Sequence, residues 1–161
     1  MPSFDIVSRV EIQEIKNAVD QVKREIDTRY DFKKSKCTIE LEEKFLTVVA
    51  DNKMFLESLK RTICEKMAKR GVSIKSLVFN EPENASGGAL RQKIDIKQGI
   101  DQDEAKKIVK LIKDSKLSKV QAQIQQDQVR VTGPKKDVLQ EVISLIKEAT
   151  DLELQFINFR D

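Results

Sequence analysis

The feature that most constrains this chain of 161 residues is that it repeats itself. FDIVSRVEIQEIKNAVDQVK, starting at Phe4, aligns with IDIKQGIDQDEAKKIVKLIK, starting at Ile94, a shift of 90 residues (94 against 4). Asp5 meets Asp95, Ile6 meets Ile96, Glu14 meets Glu104 and Lys23 meets Lys113. Further along, the shift falls to 83: Leu41 meets Ile124, Leu46 meets Val129, Leu56 meets Leu139 and Ile63 meets Ile146. The loss of seven residues fits a first helix about two turns longer in the first copy. Two copies of one pattern must each bury the same apolar face, so the fold is two related units.

Each copy reads strand, helix, strand, strand, helix, strand. In the first, 4–8 alternates as a strand, and Ile12, Ile15, Val19, Val22 and Ile26 form one helical stripe. Ser8 and Glu11 sit at capping-box spacing. Strands at 37–41 and 45–50 follow, then a helix over 52–70 with Gly71 as its C′ residue, then a strand at 74–79. In the second copy strands fall at 91–97, 119–125, 128–132 and 152–156. The first helix there is capped by Asp101 and Glu104, and the second opens near Pro134. EPENASGG, from Glu81 to Gly88, reads as a linker. The βαββαβ order predicts an α+β protein of two tandem ferredoxin-like domains, each a four-stranded antiparallel sheet with both helices on one face. The expected boundaries are 1–80 and 90–161 around a linker at 81–89, with the reservation that similar copies can exchange a strand.

Composition removes several chemistries. There is no histidine, which excludes His-based acid–base catalysis, Ser-His-Asp and Cys-His nucleophiles and histidine metal sites. Cys37 and Cys64 form no ligand cluster and read as buried thiols. No apolar run reaches the ~20 residues of a membrane span, and MPSFDIVSRV has no signal-peptide core. The expected setting is cytoplasmic, with no cofactor and no membrane partner. GxxxxGK[ST] and GxGxxG are absent. The KQGID turn could hold phosphate at a helix N-terminus, but Asp101, Asp103 and Glu104 would repel an anion, so Gly99 reads as a turn glycine.

Strand alternation sorts the remaining candidates. The open face of the second copy carries Lys97, Gln121, Gln123, Gln128 and Arg130, which can bond phosphates and base edges. Phe159 and Arg160 lie beyond its last expected strand, where they either close one side of that face or pin the tail. Arg130 is expected level with Lys97, pairing with Asp95 or Asp127 when no phosphate is present. From Lys106 to Lys119 run six lysines and one acid, Asp114. Lys106, Lys110, Lys113, Lys116 and Lys119 form a basic patch that suits a polyanion or serves as solvated surface. The first copy's open face exposes Val7, Phe45 and Val49, an apolar contact for the other unit or for a protein partner. Phe45 is also its only ring for base stacking.

MPSFDIVSRV, KQGID, AKKIVKLIKDSKLSKVQAQIQQDQVRVTG and FINFRD resemble the bacterial YajQ family over the full length. The resemblance implies tandem domains like those of RNA-binding ribonucleoprotein modules, and a nucleotide-binding protein without established catalysis. Cyclic di-GMP, other nucleotides and RNA are the ligands it implies. The residues 128–132 depart from the RNA-recognition pattern, since none is aromatic, and a second Ser in KLSKVQAQ, Ser118, is an insertion expected to shift the entry to that strand. The reading is a non-enzymatic regulatory effector that binds cyclic di-GMP, GTP or ATP, or RNA. Lys97 and Arg130 would hold phosphate, Gln121, Gln123 and Gln128 would read base or ribose, and Phe159 and Arg160 would flank them. The alternative is a protein-interaction adaptor docking through Val7, Phe45 and Val49. A hydrolase on a related fold would need an Arg in a loop cradle, and no such loop is present.

Overall fold

The first strand, β1 (Ser3–Val7), buries Phe4, Asp5, Ile6 and Val7, so both of its faces are covered. Pairing on both of its edges makes it a central strand. The structure, a computed structural model, describes residues 1–117 and 119–161; the expected insertion at Ser118 lies outside the described residues. β1 pairs antiparallel with β8 (Gln128–Thr132) on one side and β9 (Gln155–Arg160) on the other, and β7 (Gln121–Gln125) forms the far edge. Helices α3 (Gln102–Asp114) and α4 (Lys136–Ala149) cover one face. Phe4, Ile6, Ile108, Ile112, Val129, Val131, Val142 and Ile146 make the core beneath them.

The other sheet runs β2 (Thr38–Leu41), β3 (Phe45–Ala50), β6 (Leu90–Ile96), β4 (Leu77–Phe79). The short β5 (Glu83–Asn84) pairs with the first residues of β6. Helices α1 (Ile12–Thr28) and α2 (Lys53–Lys69) bury Ile15, Val19, Val22, Leu59, Ile63 and Met67 against Ile39, Leu46, Val48 and Ile94. Asn52 caps α2, accepting from the Phe55 amide at 3.0 Å, and Gly71 follows its C-cap at φ 76°. The fold is thus α+β with two antiparallel sheets, each ferredoxin-like in strand order.

The expected boundaries do not describe the two compact units. One is contiguous, Val10–Lys97; the other is split, Met1–Arg9 with Gln98–Asp161. Each copy's first strand completes the other copy's sheet. The reason is local. β4 and β6 are joined by a short connection, so their antiparallel pairing closes at low entropic cost. β6 therefore fills the centre of the first sheet, and β1 fills the vacancy in the second. The expected linker at 81–89 is consequently a connection inside one sheet, carrying β5 and a 3₁₀ turn at Ser86–Gly88.

Three further local expectations change. Ser8 makes no capping box: α1 starts at Ile12 with Glu11 as an N-cap that makes no side-chain bond. Ser8 Oγ instead donates to the Glu153 carbonyl at 2.8 Å. Asp101 and Glu104 do form their capping box on α3, at 2.8 and 3.3 Å. The last strand begins three residues late and continues through Arg160, because Asn158 adopts φ 58° at a bulge that keeps 159–160 paired beside β1. Finally, the hairpins keep the expected equivalence, Leu41 pairing with Leu46 as Ile124 pairs with Val129, but against the central strand Leu46 faces Ile94 whereas Val129 faces Ile6, so the shifts of 83 and 90 differ by two residues in register.

Candidate nucleotide-binding groove

Alternation along β6 turns Gln92, Ile94 and Ile96 inward and Arg91, Lys93 and Asp95 to the helix-free face. On β3 the same face carries Phe45, Thr47 and Val49. Register places Phe45 opposite Asp95, Thr47 opposite Lys93, and Val49 opposite Arg91. The connection from β4 to β5 rises beside them as a wall. The result is a groove of ≈ 670 Å³ lined by Phe45, Thr47, Arg91, Lys93 and Asp95, with Asn80, Glu81 and Glu83 from the wall. That volume is in the range of small-ligand sites.

The wall is pinned through Asn80. Its backbone N–H and Nδ2 both donate to the Lys93 carbonyl, at 3.1 and 3.0 Å, and Nδ2 also reaches Asp95 Oδ2 at 3.0 Å. From the core side, Gln92, 6% exposed, donates to the Asn80 carbonyl at 2.8 Å. Lys93 Nζ lies 4.5 Å from the centre of the Phe45 ring and 3.6 Å from Asp95 Oδ1. A ring, two cations and three carboxylates therefore converge on one open surface. Rings stack bases, cations hold phosphates, and carboxylates accept from base N–H groups.

On the corresponding face of the split unit the central aspartate is covered. There the residue opposite the central aspartate is Arg130. Its Nε donates to Asp5 Oδ1 at 2.9 Å, and Asn158 Nδ2 donates to Asp5 Oδ2 at 2.9 Å. Asp5 is 2% exposed. Burial alone would raise its pKa, but the bonds from Arg130 and Asn158, with the fields of Arg130 and Arg160, hold it below the ordinary carboxylate value. Arg130 is thus engaged by Asp5 and not by Asp95 or Asp127. β6 and β8 lie in different sheets, so no strand pairing sets Lys97 level with Arg130.

The other expected site residues separate in the same way. Gln121 faces Thr132, Gln123 faces Arg130 and Gln125 faces Gln128, so the amides do line one sheet face, together with the Asp5–Arg130 pair. Phe159 does not join them. The bulge turns its ring onto Phe4, at 5.6 Å between centres, beside Leu139 and Gln140 of α4. Arg160 pairs in register with Ser3. Val7 is 3% exposed in the split unit, whereas Phe45 and Val49 belong to the contiguous one, so the expected three-residue apolar face does not lie on one sheet. Gly99 is a turn glycine: its N–H donates to Ser8 at 2.6 Å, and the Ile100 N–H donates to Asp127, leaving neither for phosphate. Lys106, Lys110, Lys113, Lys116 and Lys119 are all exposed, and among the described residues none lies within 4.0 Å of a carboxylate. Cys37 is buried and Cys64 half-buried, unpaired, and burial raises both thiol pKa values. Among the described residues no helix is long and apolar enough to cross a membrane.

Sequence reasoning assigns the strand at 91–97, with Lys93 and Asp95, to the second copy's sheet, which is the wrong one, and it reads Glu81 and Glu83 as linker. The repeat held the missing signal. Asp5–Asn158 and Asp95–Asn80 are the same pair in two copies, each joining a central strand to an asparagine in or just after the strand that closes a copy.

Comparison with known proteins finds relatives along the whole chain. A protein of Nitrosococcus oceani named nucleotide-binding protein is 51% identical over the whole of both chains. Proteins of the same name from Trichlorobacter lovleyi and Magnetococcus marinus are 52% and 53% identical, again over the full length of each. The family described as nucleotide-binding protein YajQ-like matches residues 2–160. The chain belongs to this YajQ-like family.

Proposed function

We propose that the chain is a non-enzymatic nucleotide-binding protein whose ligand lies in the groove over Phe45. One observation carries the reading: Phe45 sits at the start of β3 opposite Asp95, with Lys93 over its ring, in a groove of ≈ 670 Å³. The nucleobase takes the place of the Lys93 ammonium above the ring, and the freed ammonium joins Arg91 in holding phosphate. Asp95, Glu81 and Glu83 accept hydrogen bonds and give none, so they favour a base whose edge donates. Guanine, with its ring N–H and amino group, meets that requirement better than adenine. The names of the relatives support nucleotide binding as the general class. The ligands this favours are GTP and cyclic di-GMP ahead of ATP, and the role is that of a regulatory effector.

Calorimetric titration with GTP, ATP and cyclic di-GMP tests it. Heat with the guanine nucleotides, lost in Phe45→Ala, is the expected result. No heat with any of the three would overturn the reading and leave the adaptor, docking through Phe45 and Val49, as the better one.

A further inference from the structure

The turn between α1 and β2 holds an aromatic ring in water on a rigid base. Phe32, 1% exposed, anchors it: its ring lies 6.4 Å from that of Phe55 on α2, and the Arg29 guanidinium lies 5.0 Å from its centre. Arg29 forks onto Asp31 at 2.6 and 3.0 Å and reaches Thr62 Oγ1 at 3.2 Å. Ser35 Oγ donates to the Phe32 carbonyl at 2.7 Å, and the Lys36 N–H donates to Asp51 Oδ1 at 2.6 Å. Both ends of the turn are therefore fixed. Tyr30 nevertheless projects outward, 94% exposed, the most exposed large side chain of its kind.

Its neighbours are basic. Lys33, Lys34 and Lys36 are exposed, and so is Lys53 at the start of α2, next to the Asp51 that holds Lys36. Among the described residues none of the four lies within 4.0 Å of a carboxylate. The nearest acids are already engaged, Asp31 by Arg29 and Asp51 by the Lys36 amide. An exposed ring alone is ordinary. A ring on a fixed turn among unpaired lysines supplies both elements of single-strand binding, a stacking surface and phosphate contacts.

We propose that the 29–36 turn, with Lys53, is a docking surface for single-stranded nucleic acid, where Tyr30 stacks a base and the lysines contact phosphates. It shares no residue with the groove. The chemistry favours a nucleic acid over a lipid surface. Tyr30 and Met54 are the only large apolar side chains exposed here, too few for insertion, and the turn's other ring, Phe32, points into the core. Recognition is indifferent to sequence, because only a π-face and point charges are offered.

The test is fluorescence anisotropy of a labelled oligouridylate of about 12 nucleotides, within the usual single-strand site size, read between about 50 and 200 mM salt. Tyr30→Ala should weaken binding by about 5- to 150-fold, the range of one lost base stack, and Tyr30→Phe should retain it. Neutralising Lys33, Lys34 and Lys36 together to Gln should flatten the log–log salt slope by roughly 2, at about 0.7 per phosphate contact. Guanine-nucleotide titration of the groove should be unchanged in all of them. The proposal is overturned by any of four results: no oligouridylate binding, wild-type affinity in Tyr30→Ala, an unchanged salt slope, or loss of binding on neutralising Lys106, Lys110 and Lys113 of α3 instead. Binding to phosphatidylserine vesicles without binding to the oligonucleotide overturns it as well.

Discussion

Arg130 and Phe45 each stand opposite an aspartate of the central strand, and the difference between them decides what each face can do. In one sheet the guanidinium satisfies Asp5 and covers it. In the other the ring cannot, so Asp95 stays accessible beside Lys93 and Asn80. Two outcomes follow at this scale. Asp5→Ala should cost about 3 kcal/mol, since it breaks a buried charge pair, and Arg130→Ala should lower the melting temperature without touching nucleotide affinity. The pH dependence has a definite sign. Asp5 titrates lower in the folded chain than unfolded, so its stabilisation is full above the ordinary carboxylate value of about 3.9 and fades as pH falls through the lower folded value. Melting temperatures of the wild type and Asp5→Asn should therefore converge in acid; a gap that persists there would show that the pair is not the source. The second outcome concerns the ring. Phe45→Arg should pair with Asp95, fill the groove and abolish nucleotide binding while leaving the fold intact, as thermal melting and calorimetry on one sample would show.

Elements were legible to the extent that their signals were local. All four helices, the two hairpins and the Asp101–Glu104 box follow from periodicity and capping residues. The box should matter by the usual amount: Asp101→Ala should destabilise by about 1 kcal/mol, measured by denaturant unfolding, and an unchanged midpoint would mean that α3 is held by packing alone. The failures have a common physical form. Ser8 carries a capping spacing but is buried just past the end of β1, where its hydroxyl donates to the Glu153 carbonyl. Ile157 to Arg160 looked like a tail because a bulge at Asn158 breaks the alternation that identifies strands. β5 is two residues long and exists only by pairing with β6. Tertiary pairing, absent from any short window, decided each case.

On the scale of the whole chain, the exchange of first strands explains why the fold was readable and the site was not. Fold class depends on the order of elements, and exchange preserves it. The site depends on which strands are neighbours, and exchange alters that: Lys93 and Asp95 meet Phe45 and Thr47, not Arg130 and the glutamines. The same topology predicts how the chain divides. Val10–Lys97 contains a complete sheet and both of its helices, so this fragment should fold alone and keep the groove. The fragment 90–161 lacks β1, the central strand of its sheet, and should not fold. Circular dichroism and amide exchange on the two fragments check this; a folded 90–161 would mean that β6 can replace β1.

The placement of the ligand is tested most directly by mapping backbone amide shifts while GTP is titrated into the intact chain. Saturable shifts centred on Phe45, Thr47, Asn80, Lys93 and Asp95 are expected, with the glutamine face little changed. Shifts centred instead on Gln121, Gln123, Gln128 and Arg130, with the Phe45 surroundings silent, would contradict the assignment of the groove.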